Sequence, residues 1–273
     1  MDMEKIAKLK EYIDESKKIV FFGGAGVSTE SGIPDFRSEK GLYKARSEYG
    51  YSPEEIISRS FFDIHPDTFF DYYKKNLVYL DAEPNKAHKA LAKLEEQGKL
   101  LGVVTQNIDG LHQKAGSKKV YELHGSVLRN YCMRCHESYT AEEIVAMDGV
   151  PKCECGGTIK PDVVLYEEML DDQVISGAIH AIEKADMMIV GGTSLVVYPA
   201  AGMIRYFRGK HLVVINMSAT QADRQADLVI NNDRQRSHTH PHIQAYDPNR
   251  NGRAPLPRCP QRPRSHNNGS ERH

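Results

Sequence analysis

The feature that most constrains this chain is a recurring unit: a short apolar run that stops at a Gly or polar residue and is followed by a helix-length segment. Ile19-Val20-Phe21-Phe22 runs into Gly23-Gly24, Leu100 to Thr105 into Gln106, and Val120 to Leu123 into His124. Met187 to Val190 runs into Gly191-Gly192, Leu212 to Ile215 into Asn216, and Leu228 to Ile230 makes a short sixth run. Apolar runs without polar alternation read as strands buried on both faces. Their alternation with helices predicts an α/β chain with a parallel sheet covered on both sides. Ligands of such sheets bind beyond the carboxyl ends of the strands. The first functional candidates are therefore Gly24, Gln106, His124, Gly192 and Asn216.

Between the runs, Ile6, Leu9, Tyr12 and Ile13 mark an opening amphipathic helix. Helical structure is expected from Val27, and a long loop from Gly32 to Ser52, where Gly and Ser punctuate the chain. Phe69, Phe70, Tyr73, Leu77 and Leu80 predict a helix begun near Pro66-Asp67, and Ala87, Ala90, Leu91 and Leu94 predict the next. Residues 126–160 break the rhythm, with few aliphatics and four cysteines, and read as a small inserted module. The main domain is then 1–125 plus 161–230, with part of the 32–80 region grouped with the insert.

The formal net charge is −1, but residues 231–273 carry eight Arg and three acids, a balance of +5, so residues 1–230 carry −6. The Pro-rich 231–273 segment has too few aliphatics to offset chain entropy and is expected to be a disordered basic tail. The acidic body argues against a specific nucleic-acid partner. No apolar run approaches the ~18 residues of a membrane span, and the charged N-terminus is not a secretory signal. Clustered cysteines without an export signal point to a reducing, cytoplasmic setting and to metal rather than disulfides.

Five constellations carry chemistry. Gly24-Ala25-Gly26-Val27-Ser28-Thr29 follows a strand and reads either as a phosphate-binding turn or as a plain strand–helix turn. A dehydrogenase fingerprint would place Gly or Ala where Thr29 stands. In Ser31-Gly32-Ile33-Pro34-Asp35-Phe36-Arg37, Arg37 could pair with a phosphate and Phe36 could cover a flat ring, or the segment is a loop with one ion pair. Thr105-Gln106-Asn107-Ile108-Asp109-Gly110 sets three polar side chains at a strand end, suited to a ribose or amide, or to capping a helix. Glu122-Leu123-His124-Gly125 offers a general base near neutral pH, although a single His is more often structural. Cys132-x2-Cys135 and Cys153-x-Cys155 lie seventeen residues apart, the spacing of two zinc-ribbon knuckles. Four thiolates leave no open position, so one structural Zn2+ is expected. Gly191-Gly192-Thr193-Ser194-Leu195 is a further candidate cofactor loop, and Pro161 to Tyr166 a segment able to pair with a peptide strand.

Taken together and in this order, the motifs resemble the sirtuin family over residues 5–230. The resemblance implies a Rossmann-like doubly wound parallel sheet with a small inserted zinc-ribbon module. It implies an NAD-dependent protein lysine deacetylase acting on acyl-lysine proteins or peptides. NAD is then a consumed co-substrate: the acyl oxygen attacks the anomeric carbon, nicotinamide leaves, and O-acyl-ADP-ribose forms. His124 matches the general base, and Asn107 and Asp109 match residues ordering the ribose and the nicotinamide pocket. Phe36 and Ile108 match apolar walls, and Arg37 a phosphate-side arginine. Gly24, Ala25, Gly26, Ser28, Thr29, Gln106, Gly192, Thr193, Ser194 and Asn216 match the remaining cofactor-binding positions, and Cys132, Cys135, Cys153 and Cys155 the zinc ligands. Val164 and Tyr166 match residues flanking the acyl-lysine. Phe70 and Tyr73 stand where relatives preferring succinyl groups carry Tyr and Arg, which implies neutral acyl groups here. Tyr166-Glu167-Glu168 departs from the family's Phe-Gly-Glu, and the 231–273 tail departs from its closing strand and helix. Two other readings stay open: a non-catalytic NAD or ADP-ribose sensor on the same fold, and a nucleic-acid binder using the ribbon and the basic tail.

Overall fold

The computed structural model describes residues 2–35 and 39–231, with only the backbone over 39–42. Phe36, Arg37 and the tail beyond Asn231 lie outside the described residues. In chain order the elements are α1 (Met3–Glu15), β1 (Ile19–Gly23), two 3-10 turns (Ala25–Val27 and Thr29–Ser31), α2 (Glu39–Tyr49), α3 (Pro53–Ile56), α4 (Arg59–Ile64), α5 (Pro66–Asn76) and α6 (Lys86–Glu96). Next come β2 (Leu100–Thr105), α7 (Leu111–Lys114), β3 (Val120–Glu122), β4 (Gly125–Cys132), β5 (Ser138–Thr140), α8 (Ala141–Ala146) and β6 (Ile159–Val163). The chain continues with α9 (Asp172–Lys184), β7 (Met187–Gly191), a 3-10 helix (Ala200–Tyr206), β8 (His211–Asn216), a 3-10 turn (Gln221–Arg224) and β9 (Leu228–Asn231).

The six apolar runs form one sheet in the order β3-β2-β1-β7-β8-β9, and every neighbouring pair is parallel. The order reverses between β1 and β7, so the loops leaving those two strands part and open a crevice, the switch point of a doubly wound sheet. Strand pleat sends alternate residues to opposite faces. Val20, Phe22, Met188, Val190, Leu212 and Val214 pack with Ala178, Ala181 and Ile182 of α9. Ile19, Phe21, Met187, Ile189 and Val213 pack with Leu91 of α6 and Leu9, Tyr12 and Ile13 of α1. Two covered faces explain why these strands carry no polar alternation.

A second, antiparallel sheet has the order β5-β4-β6. Its apolar residues Val127, Ile159 and Val163 join Ile144 and a group of aromatics, Phe61, Phe62, Phe69, Phe70, Tyr72 and Tyr73, in a separate cluster. Those aromatics come from α4 and α5, so helices far upstream in sequence cover the small sheet.

Two expectations are corrected. The segment from Gly32 to Ser52 is not one long loop, because α2 occupies Glu39–Tyr49. Gly41 and the flanking Ser residues hide a helix whose Ala45 is buried in the aromatic cluster and whose Lys44 Nζ donates to Asn76 Oδ1 at 3.1 Å. Its Glu, Lys, Leu, Ala and Arg residues are good helix formers, and the burial of Ala45 adds tertiary support. After β1, no α-helix begins at Val27. Two 3-10 turns stand there instead, ended by Gly32 at φ +86°. The Gly26 N–H donates to the Gly192 carbonyl at 2.8 Å, which ties the turn sideways to the loop after β7.

Candidate functional site

The loops leaving β1 and β7 touch through their glycines. A Cβ on Gly26 would lie 2.7 Å from Gly192 Cα, and one on Gly24 would lie 2.9 Å from Thr193 Cβ. Gly192 has φ +60°, and a Cβ there would meet the Val27 nitrogen at 2.4 Å. These glycines therefore permit loop-on-loop contact, and the helix N-terminus expected at this turn is absent. Past β8, the Asn216 amide clasps Thr193, accepting from its N–H at 3.0 Å and donating to its carbonyl at 2.8 Å. Thr193 Oγ1 in turn accepts from Gln106 Nε2 at 3.0 Å. Ser194 and Thr29 stay exposed beside this buried chain of contacts.

The loop past β2 delivers Asn107 and Asp109 to Ser28. The Ser28 hydroxyl donates to Asp109 Oδ2 at 2.6 Å and accepts from Asn107 Nδ2 at 3.0 Å. His88 Nε2 lies 3.5 Å from the same oxygen. The Asn85 N–H donates to His88 Nδ1 at 3.3 Å, so the proton of the neutral ring is on Nε2, facing Ser28. Burial holds the His88 pKa below its usual value, against the pull of Asp109, which keeps the ring neutral. Sequence reasoning missed His88. Its spacing from Asn85 reads only as a helix start, and the two do form a capping box at the N-terminus of α6.

His124 follows β3. Its Nδ1 lies 3.0 Å from the Gln106 carbonyl. A carbonyl can only accept, so Nδ1 carries the proton and Nε2 is the basic nitrogen of the neutral ring. The His124 carbonyl accepts from the Val164 N–H at 3.0 Å, which fastens the segment after β6 beside it. The N–H groups of Leu165 and Tyr166 are taken by Glu168 Oε2 at 2.9 Å and the Ile57 carbonyl at 3.0 Å. Glu167, where the sequence departs from glycine, adopts φ +77°. A non-glycine residue is strained there. The Glu167 carboxylate is fixed by the Ser60 N–H and hydroxyl, both at 2.9 Å, at the first turn of α4. A residue with no glycine's freedom thus holds the turn by side-chain anchoring.

A cavity of about 210 Å3 gathers these pieces. Ala25, Ser28, Gln106, Asn107, Ile108, Asp109 and His124 line it from the large sheet, and Val163, Val164, Leu165 and Tyr166 from the small one. Ile57, Phe69, Tyr73 and Leu77 close it from the helices. Among the described lining residues there is no Lys or Arg, while Asp109, Glu167 and Glu168 are acidic. Phe70 is fully buried behind this wall and does not line the cavity. Gly24, Gly26, Thr29, Gly192, Thr193, Ser194 and Asn216 lie outside the lining, along the β1, β7 and β8 ends.

The four cysteines form a second centre, in the small-sheet region. Their Sγ atoms all lie within 4.8 Å of one another. Cys132 and Cys155 sulfurs are 3.4 Å apart, and Cys135 and Cys153 sulfurs 3.5 Å. A tetrahedral ion with ~2.3 Å metal–sulfur bonds needs sulfurs roughly 3.8 Å apart, so the donor set fits one Zn2+ with little movement. The tight Cys153-x-Cys155 knuckle is accommodated by glycine: a Cβ on Gly157 would meet Cys132 Sγ at 2.6 Å. Backbone N–H groups of Cys135 and Arg134 hold the Cys132 thiol pKa below its usual value, whereas at Cys135 the backbone N–H of Glu137 is outweighed by the neighbouring sulfurs, which push the thiol pKa up, so the fit to a metal rests on the donor geometry.

Residues 24–199 match the model of the Sir2 family. The chain is 66% identical over 230 residues to the NAD-dependent protein deacetylase of Clostridium perfringens, covering 84% of this chain and 94% of that protein. It is 60% identical to that of Clostridium acetobutylicum, with the same shares covered. Among solved structures, a Sir2–p53 peptide–NAD+ complex matches with a TM-score of 0.72 and 42% identity, covering 85% of this chain and 93% of that one. A Sir2 complex with an inhibitor, 2'-O-acetyl-ADP-ribose and deacetylated p53 peptide matches with a TM-score of 0.72 and 41% identity, covering 82% and 92%. A parallel sheet with its switch point, a cluster of four cysteines suited to one metal ion, and a largely apolar cavity that gathers Ser28, Asn107, Asp109 and His124 define a dinucleotide-binding α/β protein with a zinc-ribbon module. The chain belongs to the Sir2 family.

Among the described residues, no helix is long and apolar enough to cross a membrane.

Proposed function

We propose that this chain is an NAD-dependent protein lysine deacetylase that works on neutral acyl groups, in the cytoplasm. The observation that carries the reading is the single cavity shared by Ser28, Asn107, Asp109, His124 and the segment after β6. The 66% identical relative is itself named an NAD-dependent protein deacetylase. The cluster of four thiols supports a reducing compartment. The accompanying domain division is 1–125 with 161–230, an insert at 126–160, and upstream helices that share the insert's apolar cluster.

NAD supplies the electrophilic ribose carbon; with acyl-lysine and water it gives lysine, nicotinamide and O-acyl-ADP-ribose. The chain's own residues bind, orient and move a proton. Asn107 and Asp109, locked through Ser28, present fixed polar groups to the nicotinamide ribose and amide, at little reorganisation cost. Ala25, Ile33 and Ile108 give the nicotinamide apolar walls. Thr193, clasped by Asn216, and the touching glycines 24, 26 and 192 form the floor for the rest of the dinucleotide at the switch point. His124 Nε2 takes a proton from a ribose hydroxyl, while the Gln106 carbonyl holds the ring and its Nδ1 proton in place. Val164 and Tyr166 flank the acyl-lysine. The zinc ribbon holds four thiolates and has no position left for substrate, so its part is structural.

The test is nicotinamide release from NAD with and without an acetyl-lysine peptide. Peptide-dependent release, matched by deacetylated peptide and lost by at least a hundredfold in His124→Ala, is the expected result, on the scale of general-base catalysis at about 10² to 10⁴. NAD binding without release on any acyl peptide would instead support a sensor.

A further inference from the structure

The chain crosses from the large sheet to the small one at His124. Strand β3 ends at Glu122 and β4 begins at Gly125, so Leu123 and His124 are the whole connection. Three side chains outside the cavity span this crossing. Arg129 on β4 donates from Nη1 to Glu122 Oε2 at 2.8 Å and from Nε to Asp162 Oδ2 on β6 at 2.8 Å. Gln113 on α7 donates to the other Glu122 oxygen, Oε1, at 2.7 Å. Glu122 lies in register with Thr105 of β2, and its side chain is only 11% exposed. One guanidinium thus joins the end of a large-sheet strand to a small-sheet strand and closes the loop 122–129 with His124 inside it. Gln113, Glu122, Arg129 and Asp162 are all outside the cavity lining.

His124 depends on both sheets at once. Its Nδ1 meets the Gln106 carbonyl, past the end of β2, at 3.0 Å, and its own carbonyl accepts from the Val164 N–H, past the end of β6, at 3.0 Å. The ring is therefore held from the large sheet and the backbone from the small one. A change in the angle between β3 and β4 moves one hold against the other. Building on the deacetylase reading, we propose that Arg129 is a positioning residue for the general base: by clamping Glu122 to Asp162 it fixes the crossing angle at His124, and so keeps the Nδ1 proton on the Gln106 carbonyl and Nε2 free to accept. Gln113 extends the clamp to the second polar loop. Helix α7 begins at Leu111, whose N–H donates to Asp109 Oδ1 at 2.9 Å, so Glu122 also steadies the loop that carries Asp109. A lysine at 129 would keep the charge but not the planar fork that serves two carboxylates in fixed directions.

The experiment uses the full chain with Arg129→Met, Arg129→Lys, Glu122→Gln, and Glu122→Gln combined with Arg129→Met. For each, kcat and the KM values for NAD and an acetyl-lysine peptide are measured beside the urea midpoint and bound zinc. The His124 ring tautomer is read separately, without substrate, from histidine ring 15N shifts well above the ordinary histidine pKa, with the signal assigned by His124→Gln. Arg129→Met should lower kcat about tenfold, with both KM values within about twofold of the parent, since the chemistry is sensitive to small misplacements of the base. The urea midpoint and zinc content should hardly change, because exposed ion pairs contribute little to stability. Arg129→Lys should recover part of the loss. The double variant should be no slower than Arg129→Met, since both changes break one clamp. The His124 signal should move from the Nδ1-protonated tautomer in the parent towards an average of the two tautomers in Arg129→Met. A parent-like kcat, an unchanged tautomer, or a loss of kcat that only follows a fall in the urea midpoint overturns the proposal. If the parent turns over no peptide, the deacetylase reading falls, and the tautomer comparison still decides the role of Arg129. If Arg129→Met does not fold, Arg129→Lys carries the same comparison.

Discussion

In the six-stranded sheet, β1 and β7 bury every residue, whereas in the three-stranded sheet β5 buries none. The large sheet has helices packed on both faces and needs nothing but apolar contact. The small sheet is covered by the aromatic cluster of α4 and α5, and its far loops are gathered by four sulfurs. Two cohesive principles meet in one chain, and the cavity is lined from both sides. The difference teaches where the cavity's rigidity comes from: the large-sheet side rests on burial, and the small-sheet side on a borrowed helical wall and a cysteine cluster suited to one metal ion.

The comparison is broken most strongly by taking the metal away. Structural zinc in small ribbons contributes on the order of 10 kcal/mol of binding free energy. Chelation should therefore release amide protection at Cys132 and Ile159 in hydrogen exchange and leave Phe21 and Ile189 protected. Simultaneous loss in both sheets would mean that their stabilities are not separable. Phe22→Ala should do the reverse. Phe22 is fully buried between β1 and α9, so truncation should cost about 3–5 kcal/mol in urea unfolding with bound zinc stoichiometry unchanged.

Gly125→Ala probes the junction itself. Gly125 has φ +73°, and a Cβ there would lie 1.9 Å from the Asp162 carbonyl oxygen, where β4 pairs with β6 directly after His124. Relieving that clash means shifting backbone, so a loss of roughly 1–3 kcal/mol is expected, with activity falling more than stability because His124 moves with it. The smallest effect is a pH slope. His112 on α7 is buried beside His88 and Phe21, and burial, with the neighbouring His88, pushes its pKa from 6.5 down to about 3. The unfolded chain binds this proton near 6.5 and the folded chain does not until about 3. Its stability contribution is thus intact above 6.5 and is lost as pH falls from 6.5 toward 3. His112→Phe should flatten the stability profile in that window and leave the slope above it unchanged; an equal slope in both proteins would remove His112 as the cause.

Much of this was readable in advance because it is local. Each apolar run became a strand of the large sheet, and the motif residues Gly24, Gln106, His124, Gly192 and Asn216 stand at strand ends, as the runs predicted. Cysteine spacing located the metal cluster. Helix α2 carries good helix formers, but Gly32, Gly41, Ser38, Ser47 and Ser52 punctuate the stretch strongly enough that a reading by turn residues alone favours a loop. The role of the touching glycines was misassigned for a different reason: that Gly26 must face Gly192 is a fact about two loops far apart in sequence.

The sequence by itself determined the strand–helix alternation, the clustering cysteines and the polar residues at the strand ends, since these follow from periodicity and ligand spacing within short windows. Only the tertiary structure decided that His88 backs Ser28, that Glu167 holds a left-handed turn through Ser60, and that Tyr73 is buried against Phe69 and Phe70. Each of these depends on which distant groups share a desolvated space. A hydrogen bond's worth, or its absence, is fixed by that shared burial and not by the residue type alone.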